Sequence, residues 1–152
     1  MSVIVKNKGK IDWDKDLDKV FGKKFRGIVA QVIVKGIKDG LNASKDIKGR
    51  AFKKLKTKTV RDKVKKGFTT KPLIRTGVMK KLPPVKNKMK HAEISTAKSR
   101  SSIAMYHNEG GKHLPQRQWY GVSEDAKIDI SRAVAKKVVQ VLKYGYKLPK
   151  KL

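Results

Sequence analysis

Cysteine is absent from the 152 residues, which excludes disulfide bonds, thiolate metal sites and cysteine nucleophiles. The N-terminus has no apolar run of signal-peptide length, and no window approaches the ~18–20 apolar residues that a membrane helix needs. We therefore expect a soluble, unexported chain without a membrane partner. The length and the 38% of hydrophobic residues predict a single domain, 1–152, with one modest core.

Acidic residues are also scarce, with 12 of them against 40 lysines and arginines and a formal net charge of +28. Residues 45 to 100 hold 20 basic and 3 acidic residues, so 20 − 3 gives +17 in this span. Such a field attracts polyanions, which makes nucleic acid or an acidic protein surface the expected partner. Most of the basic residues are lysines, whose ammonium groups are equally suited to a solvated face. Both interpretations stay open.

Catalytic motifs are missing as well. Neither the nucleophile elbow Gly-x-Ser-x-Gly nor the phosphate loop Gly-x4-Gly-Lys-Ser/Thr occurs. His107, Glu109 and His113 lie close in sequence, but the His-x-Glu pattern of zinc deaminases requires cysteine ligands as well. We expect no enzymatic activity, no catalytic residue, no metal and no cofactor.

Apolar residues that recur at intervals of three and four predict a first long helix from Asp14 to about Lys38. Gly40–Ser44 supply the stop signals. The glycines inside this helix either allow close packing or shorten it; they are Gly22, Gly27 and Gly36. Four aspartates crowd its start, at positions 12, 14, 16 and 18, and we interpret them as capping residues. A calcium-binding EF-hand loop beginning at Asp12 would need glycine and glutamate where Leu17 and Lys23 stand.

A second amphipathic helix is predicted from Ser123, its N-cap, to about Leu142. Between the helices, residues 45–72, here called the basic segment, are expected to form a long loop with a short helix at about 57–66, and to become ordered on assembly. Short apolar runs predict strands or extended segments at 3–5, 91–97, 102–106 and 117–122, with a hairpin turn at 98–101. The expected fold is α+β: a small, mainly antiparallel sheet packed against a long N-terminal helix and a C-terminal helix, with a flexible tail at about 147–152.

The stretch from Met105 to Asp129 resembles a known signature. In order and spacing, it resembles the signature of the tailed-phage virion-morphogenesis or tail-completion family at Tyr106, His107, Gly110, Gly111, Pro115, Arg117, Trp119, Gly121, Ser123 and Asp125. Gly49–Leu55 and Leu73–Met79 are similar to two further segments of that family, so the resemblance covers roughly residues 40 to 135. At Leu73–Met79 the resemblance implies a turn that leads toward a strand at about 78–82. The chain departs from the family pattern at Phe52, where tryptophan is usual, and at Lys54 and Gln118, which replace prolines.

The resemblance implies a structural virion protein of the phage neck or tail end, concerned with tail completion, tail termination or head–tail joining. It implies a homo-oligomeric ring, with a hexamer expected, that docks on neighbouring neck and tail tube proteins. The location is then the virion, and the host cytoplasm during assembly. It offers no catalytic site to transfer. The alternative is a sequence-nonspecific nucleic-acid-binding protein acting through its lysine-rich surface; a toxin-like or nuclease fold is disfavoured by the missing catalytic cluster.

The aromatic pair Trp119-Tyr120 beside Arg117 has two interpretations. It suits stacking on nucleic-acid bases, but we favour packing, with one ring inside and one at a subunit surface. The basic segment and the tail from Lys147 are expected to reach adjacent subunits, while the lysine-rich face offsets acidic neighbours or contacts DNA non-specifically. The candidate interaction surface comprises Lys53, Lys54, Lys56, Lys58, Arg61, Lys63, Arg75, Arg117 and Trp119.

Overall fold

The fold is α+β, with four helices and a two-stranded antiparallel sheet in the computed structural model, which describes residues 20–88, 91–96 and 98–144. The helices are α1 (Lys23–Ala43), α2 (Thr57–Lys65), α3 (Ser101–Glu109) and α4 (Glu124–Tyr144). The strands are β1 (Lys86–Asn87) and β2 (Ala92–Glu93), and 3₁₀ turns lie at Val78–Lys80 and Lys98–Arg100. α1 packs against α4 and against the sheet. The expected strand at 3–5, the tail at 147–152 and the aspartates at 12–18 lie outside the described residues.

The first long helix is confirmed, with different ends. Ile33, Ile37 and Leu41 repeat every four residues and face the core, where Leu41 is fully buried. α1 therefore continues through Gly40 to Ala43, beyond the predicted end near Lys38, and stops at Ser44, whose φ of 56° is left-handed. Its first turn carries no acidic residue. The aspartates at 12–18, which the sequence predicts as capping residues, lie outside the described residues.

Two glycines of α1 mark close approaches. A Cβ at Gly36 would lie 2.7 Å from Ser123 Oγ, and one at Gly27 would lie 2.7 Å from Asn87 Nδ2. The Asn87 Nδ2 atom also donates a hydrogen bond of 2.7 Å to Lys23 O, which ties β1 to the helix. Close packing is therefore the role of Gly27 and Gly36, whereas Gly22 is the N-cap at which α1 begins.

The basic segment is attached to the body of the molecule along its length. Its predicted short helix is confirmed as α2, and Lys45 and Ala51 pair across a small antiparallel bridge. The Ile47 backbone accepts a hydrogen bond from Glu124 N and donates one to Gln118 O, while Phe52 is buried in the core. The segment is therefore ordered by contacts within its own chain, which differs from the expected ordering on assembly.

The predicted strands agree less well with the structure. Val78–Lys80 forms a 3₁₀ turn instead of a strand, since Lys80 N donates to Gly77 O. The strand predicted at 91–97 shortens to β2, which pairs with β1 in the register Lys86 to Glu93 and Asn87 to Ala92. The run 102–106 is helical and belongs to α3, where Ala104 is buried against the core. Residues 117–122 form no strand, and the chain bends at Tyr120 and Gly121.

The start of α4 agrees with the sequence. Ser123 Oγ accepts a hydrogen bond of 3.2 Å from Ala126 N, the N-cap interaction that the sequence predicts. Glu124 and Asp125 lie in the first turn, where the helix dipole favours negative charge. None of the helices formed by the described residues combines the length and the apolar character that a bilayer span requires.

Candidate interaction surface

Trp119 lies at the centre of the hydrophobic core, not on the surface. Its side chain is 2% exposed and packs with Ile37, Leu41, Phe52 and Ala104. The indole Nε1–H donates a hydrogen bond of 3.2 Å to Ala104 O. The indole therefore fixes α3 against α1 through both packing and a buried hydrogen bond.

Arg117 is also buried, at 4% exposure, and its guanidinium links two distant parts of the chain. Nε and Nη2 donate to Lys53 O at 3.3 and 3.1 Å, and the backbone N–H of Arg117 donates to His107 O at 2.8 Å. Burial lowers the pKa of the guanidinium. Even so, a guanidinium stays protonated in proteins, so this is a charged donor used to hold a loop carbonyl.

Tyr120 completes the same stretch from the edge of the core. Its hydroxyl donates a hydrogen bond of 2.5 Å to Ile94 O, and its backbone N–H donates to Asn108 Oδ1 at 3.1 Å. Burial, and then the charge of Glu93, raise the pKa of the phenol. Its ring meets that of Trp119 edge-on, with 5.5 Å between centroids. The predicted packing of this aromatic pair is confirmed, with Trp119 as the inner ring.

Gly110 ends α3 and lets the chain turn tightly toward Arg117. Its φ of 81° is left-handed, and a Cβ there would come within 3.0 Å of Gln116. A side chain at this position would be strained by conformation and by contact. The glycine in the signature is thus explained by local geometry.

His107 lies half-buried on α3, beside the turn. Its Nδ1 is buried and has no hydrogen-bond partner among the described residues. Burial, and then the charge of Arg117, lower the pKa of the imidazole. Glu109 and His113 are exposed. Within the described ranges, no three histidine, aspartate or glutamate side chains come together in a group that could hold a metal ion.

Lys63 is the second buried cation, at 6% exposure. Its ammonium donates to Lys71 O at 2.6 Å and to Ile74 O at 2.7 Å, which closes the turn after α2. Burial, and then the charge of Arg75, lower the pKa of the ammonium. Nothing in the sequence distinguishes this lysine from its neighbours, because its partners are backbone carbonyls.

The predicted interaction surface is therefore corrected at three of its nine positions. Lys63, Arg117 and Trp119 are buried because each has backbone carbonyls to donate to inside the fold. The other six are exposed and remain candidates for contact; they are Lys53, Lys54, Lys56, Lys58, Arg61 and Arg75.

Acidic side chains within the basic segment offset only part of this charge. Asp46 pairs with Arg50 at 2.8 Å, and Asp62 pairs with Lys66 at 2.6 Å. Burial alone would raise the pKa of Asp46, but hydrogen bonds from Arg50 and Lys48 outweigh burial and lower it. The exposed face of the basic segment consequently keeps a positive potential suited to an anionic partner.

Comparisons with protein-family models, with curated proteins and with solved structures find no match to this chain.

Proposed function

We propose that this chain is a structural protein of the neck or tail end of a tailed-phage particle, acting by ring assembly and docking, without enzymatic activity. Besides the sequence resemblance, one structural observation carries the proposal. Three side chains of the signature are engaged in internal contacts: Arg117 donates to Lys53 O, Trp119 donates to Ala104 O and Ser123 caps α4. A stretch whose side chains make such internal contacts fixes the positions of the helices that carry the exposed surfaces.

Those surfaces include apolar residues suited to subunit contacts. Met105 and Tyr106 on α3 are 49% and 58% exposed, and Val138 and Val139 on α4 are 40% and 48% exposed. Exposed apolar groups that cluster commonly mark interfaces. A ring requires two different patches on each subunit, and two helices here offer one each.

Sedimentation and electron microscopy test the proposal. We expect the purified chain to form closed rings as its concentration rises and to co-purify with particles. Val138→Glu should weaken ring formation, whereas Ser131→Glu, an equal charge change at an exposed position on the same helix, should not. A chain that stays monomeric at high concentration and is absent from particles contradicts the proposal.

The second candidate is sequence-nonspecific nucleic-acid binding, supported by the six exposed basic residues of the candidate surface. Binding to duplex DNA should then weaken steeply with salt, because each neutralised phosphate releases counterions. Lys58→Glu should reduce the affinity and flatten the salt dependence. Absence of DNA binding at low salt removes this candidate.

A further inference from the structure

An open cleft of about 540 Å³ lies between α2, the loop after it and α3. Its apolar lining comprises Leu55, Phe68, Leu73, Ile74, Val78, Met79 and Ile103. This volume falls within the range of ligand pockets in proteins. Ile103 lines the cleft and is 40% exposed, so its side chain is accessible from outside. The cleft therefore has room for an apolar side chain of another molecule.

Two arginines at the cleft have unused hydrogen-bond donors. Arg75 and Arg100 line the cleft and are exposed. Among the described residues, neither guanidinium has a hydrogen-bond or ion-pair partner, and that of Arg75 lies over the Phe68 ring, with its carbon 5.1 Å from the centroid. A guanidinium carries five N–H donors in a planar geometry that suits carboxylates. A matching occupant therefore presents carboxylates beside its apolar side chain.

The other charged groups of the cleft are engaged inside the chain. The Lys63 ammonium donates to two backbone carbonyls, and the Asp62 carboxylate pairs with Lys66 at 2.6 Å. Burial lowers the pKa of His107, so its imidazole is mainly neutral at pH 7. The charge that an occupant meets is consequently that of the two arginines.

The chain itself exposes one apolar side chain that is surrounded by carboxylates. Ile128 is 50% exposed near the start of α4. The exposed Glu124 and Asp125 lie four and three residues before it, positions that neighbour it on a helix, and the exposed Asp129 follows it. These four residues are called the acidic patch.

Other exposed apolar side chains lack such surroundings. Each of the remaining large ones in the described ranges has at most one acidic residue within four positions along the chain; they are Ile28, Val64, Ile103, Met105, Tyr106, Val138 and Val139. If a second copy of this chain fills the cleft, the acidic patch is thus the surface whose chemistry matches.

The acidic patch stays negative despite ion pairs within α4. Glu124 and Asp129 form exposed pairs with a lysine and an arginine of the same helix, at 2.8 and 3.7 Å, and such pairs contribute little in water. In the part of the chain that the structure describes, the Asp125 carboxylate accepts no hydrogen bond and forms no ion pair. Residues 124–129 hold one basic and three acidic residues, so 1 − 3 gives −2 in a chain of net charge +28.

The acidic patch and the cleft lie apart within one chain. None of the described residues that line the cleft belongs to α4. The start of α4 is attached elsewhere, since Ser123 lies against Gly36 of α1 and Glu124 N donates to Ile47 O. In the folded chain, therefore, the acidic patch does not occupy its own cleft and is exposed to other molecules.

A nucleic-acid occupant fits the cleft less well. Base stacking requires an open aromatic face, and Arg75 lies over the Phe68 ring. The other apolar lining residues are aliphatic side chains and one methionine. A protein surface with an aliphatic side chain matches this lining better than a base does.

We propose that the acidic patch of one copy docks in the cleft of a second copy, with Ile128 against Ile103 and the carboxylates beside Arg75 and Arg100. The contact joins two different surfaces and is head-to-tail, and its repetition closes a ring when the rotation allows it. This inference supplies the subunit contact of the proposed function and rests on it for its biological meaning. The contact itself is testable on the isolated full-length chain.

The absence of cysteine makes engineered disulfide cross-linking a direct test. Ile128→Cys chains are mixed with tagged Ile103→Cys chains under mild oxidation, and mixed dimers are measured by mass. The matched control replaces the second variant with Ile28→Cys, whose parent side chain is 44% exposed but lies on α1, outside the cleft. We expect roughly tenfold more mixed dimer with Ile103→Cys, because a disulfide forms only when the two Cβ atoms approach to about 4 Å. Equal yields overturn the proposal.

Exchange of charges across the contact tests its electrostatic part. Asp125→Lys/Asp129→Lys, added to the Ile128→Cys chain, should lower the cross-linking yield several-fold. Arg75→Glu/Arg100→Glu, added to the Ile103→Cys chain, should then restore it. Restoration excludes misfolding as the cause of the loss, because a change in a second molecule cannot refold the first. Failure to restore the yield overturns the proposed pairing of carboxylates with these arginines.

A matched pair of reversals separates specific docking from general attraction. Lys58→Glu/Arg61→Glu changes the charge of the second chain equally, at exposed positions outside the cleft, and should restore little. Equal restoration by both pairs overturns the proposal. It is also overturned if Arg75→Glu/Arg100→Glu fails to restore the yield and instead abolishes binding to duplex DNA, since the cleft would then be a nucleic-acid surface.

These results separate from the test of the proposed function. Specific cross-linking by a chain that is absent from particles would retain the contact and remove the virion role. Particle association without specific cross-linking would do the reverse.

Discussion

The buried and the exposed cations of this molecule have different roles. Arg117 and Lys63 are buried, and each donates to backbone carbonyls of a distant or neighbouring loop. Lys54, Lys58 and Arg61 are exposed and lie in the same basic segment as Lys63. The comparison teaches that the two buried positive charges hold backbone carbonyls inside the fold, while Lys54, Lys58 and Arg61 contribute to the potential that a partner meets. Substitutions at the two kinds of site should therefore differ in kind.

The largest effect is expected at the centre of the interior. Trp119→Ala removes a buried indole and its hydrogen bond to Ala104 O, which should lower the free energy of unfolding by about 3–5 kcal/mol. Tyr106→Ala, at an exposed aromatic on α3, should change it by less than about 0.5 kcal/mol. Urea unfolding midpoints measure both. Similar midpoints for the two variants would break the distinction between interior and surface.

Arg117→Met sharpens the comparison between cations. It leaves Lys53 O without its donor, so the unfolding free energy should fall by about 1–3 kcal/mol. Tryptic cleavage after Lys53 should also become faster, because the loop loses its attachment. Arg61→Met, which removes an exposed positive charge, should leave both measurements near wild type. Equal sensitivity to trypsin in the two variants would show that the guanidinium does not hold the loop.

Gly36→Ala tests the contact between α1 and α4. Alanine favours a helix by up to ~1 kcal/mol over glycine, but its Cβ would meet Ser123 Oγ at 2.7 Å and disturb the cap of α4. We expect a net loss of about 1 kcal/mol in thermal or urea unfolding. The loss should shrink in a Ser123→Ala background, where the opposing oxygen is gone. An unchanged loss there would locate the strain elsewhere.

The smallest effect concerns pH. The pKa of His107 is lower in the folded chain than its ordinary value near 6.5, so the unfolded state binds more protons in the window below ~6.5. The free energy of unfolding should therefore fall as pH drops from about 7 to about 5. His107→Gln should remove this part of the pH dependence. His113→Gln, at an exposed histidine, should not, and an equal change in both would contradict the assignment.

Local patterns predicted the two long helices well. Apolar spacing through Ile33 and Ile37 indicates α1, and Ser123 followed by two acids indicates the start of α4. The short apolar run at 102–106 was predicted as a strand but is helical. Five residues are too few to distinguish helical from strand periodicity. Its helical form follows from Ala104, which lies buried where Trp119 donates to its carbonyl.

For the candidate interaction surface too, some features could be predicted from the sequence and others could not. The exposure of Lys53 through Arg61 followed from their charge. The burial of Lys63 and Arg117 did not, because it depends on carbonyls that are eight to 64 residues away in the chain. The cleft was also absent from the sequence prediction, since its walls come from three separate elements.

The sequence by itself determined the positive charge, the apolar faces of α1 and α4, and the cap at Ser123, because charge and helical periodicity depend on neighbours within a turn or two. Only the tertiary structure decided which cations are buried and where the cleft opens. Burial of a charge depends on the donors and acceptors that packing brings together, and at Arg117 and Trp119 those acceptors are backbone carbonyls, which every residue carries and no sequence pattern marks.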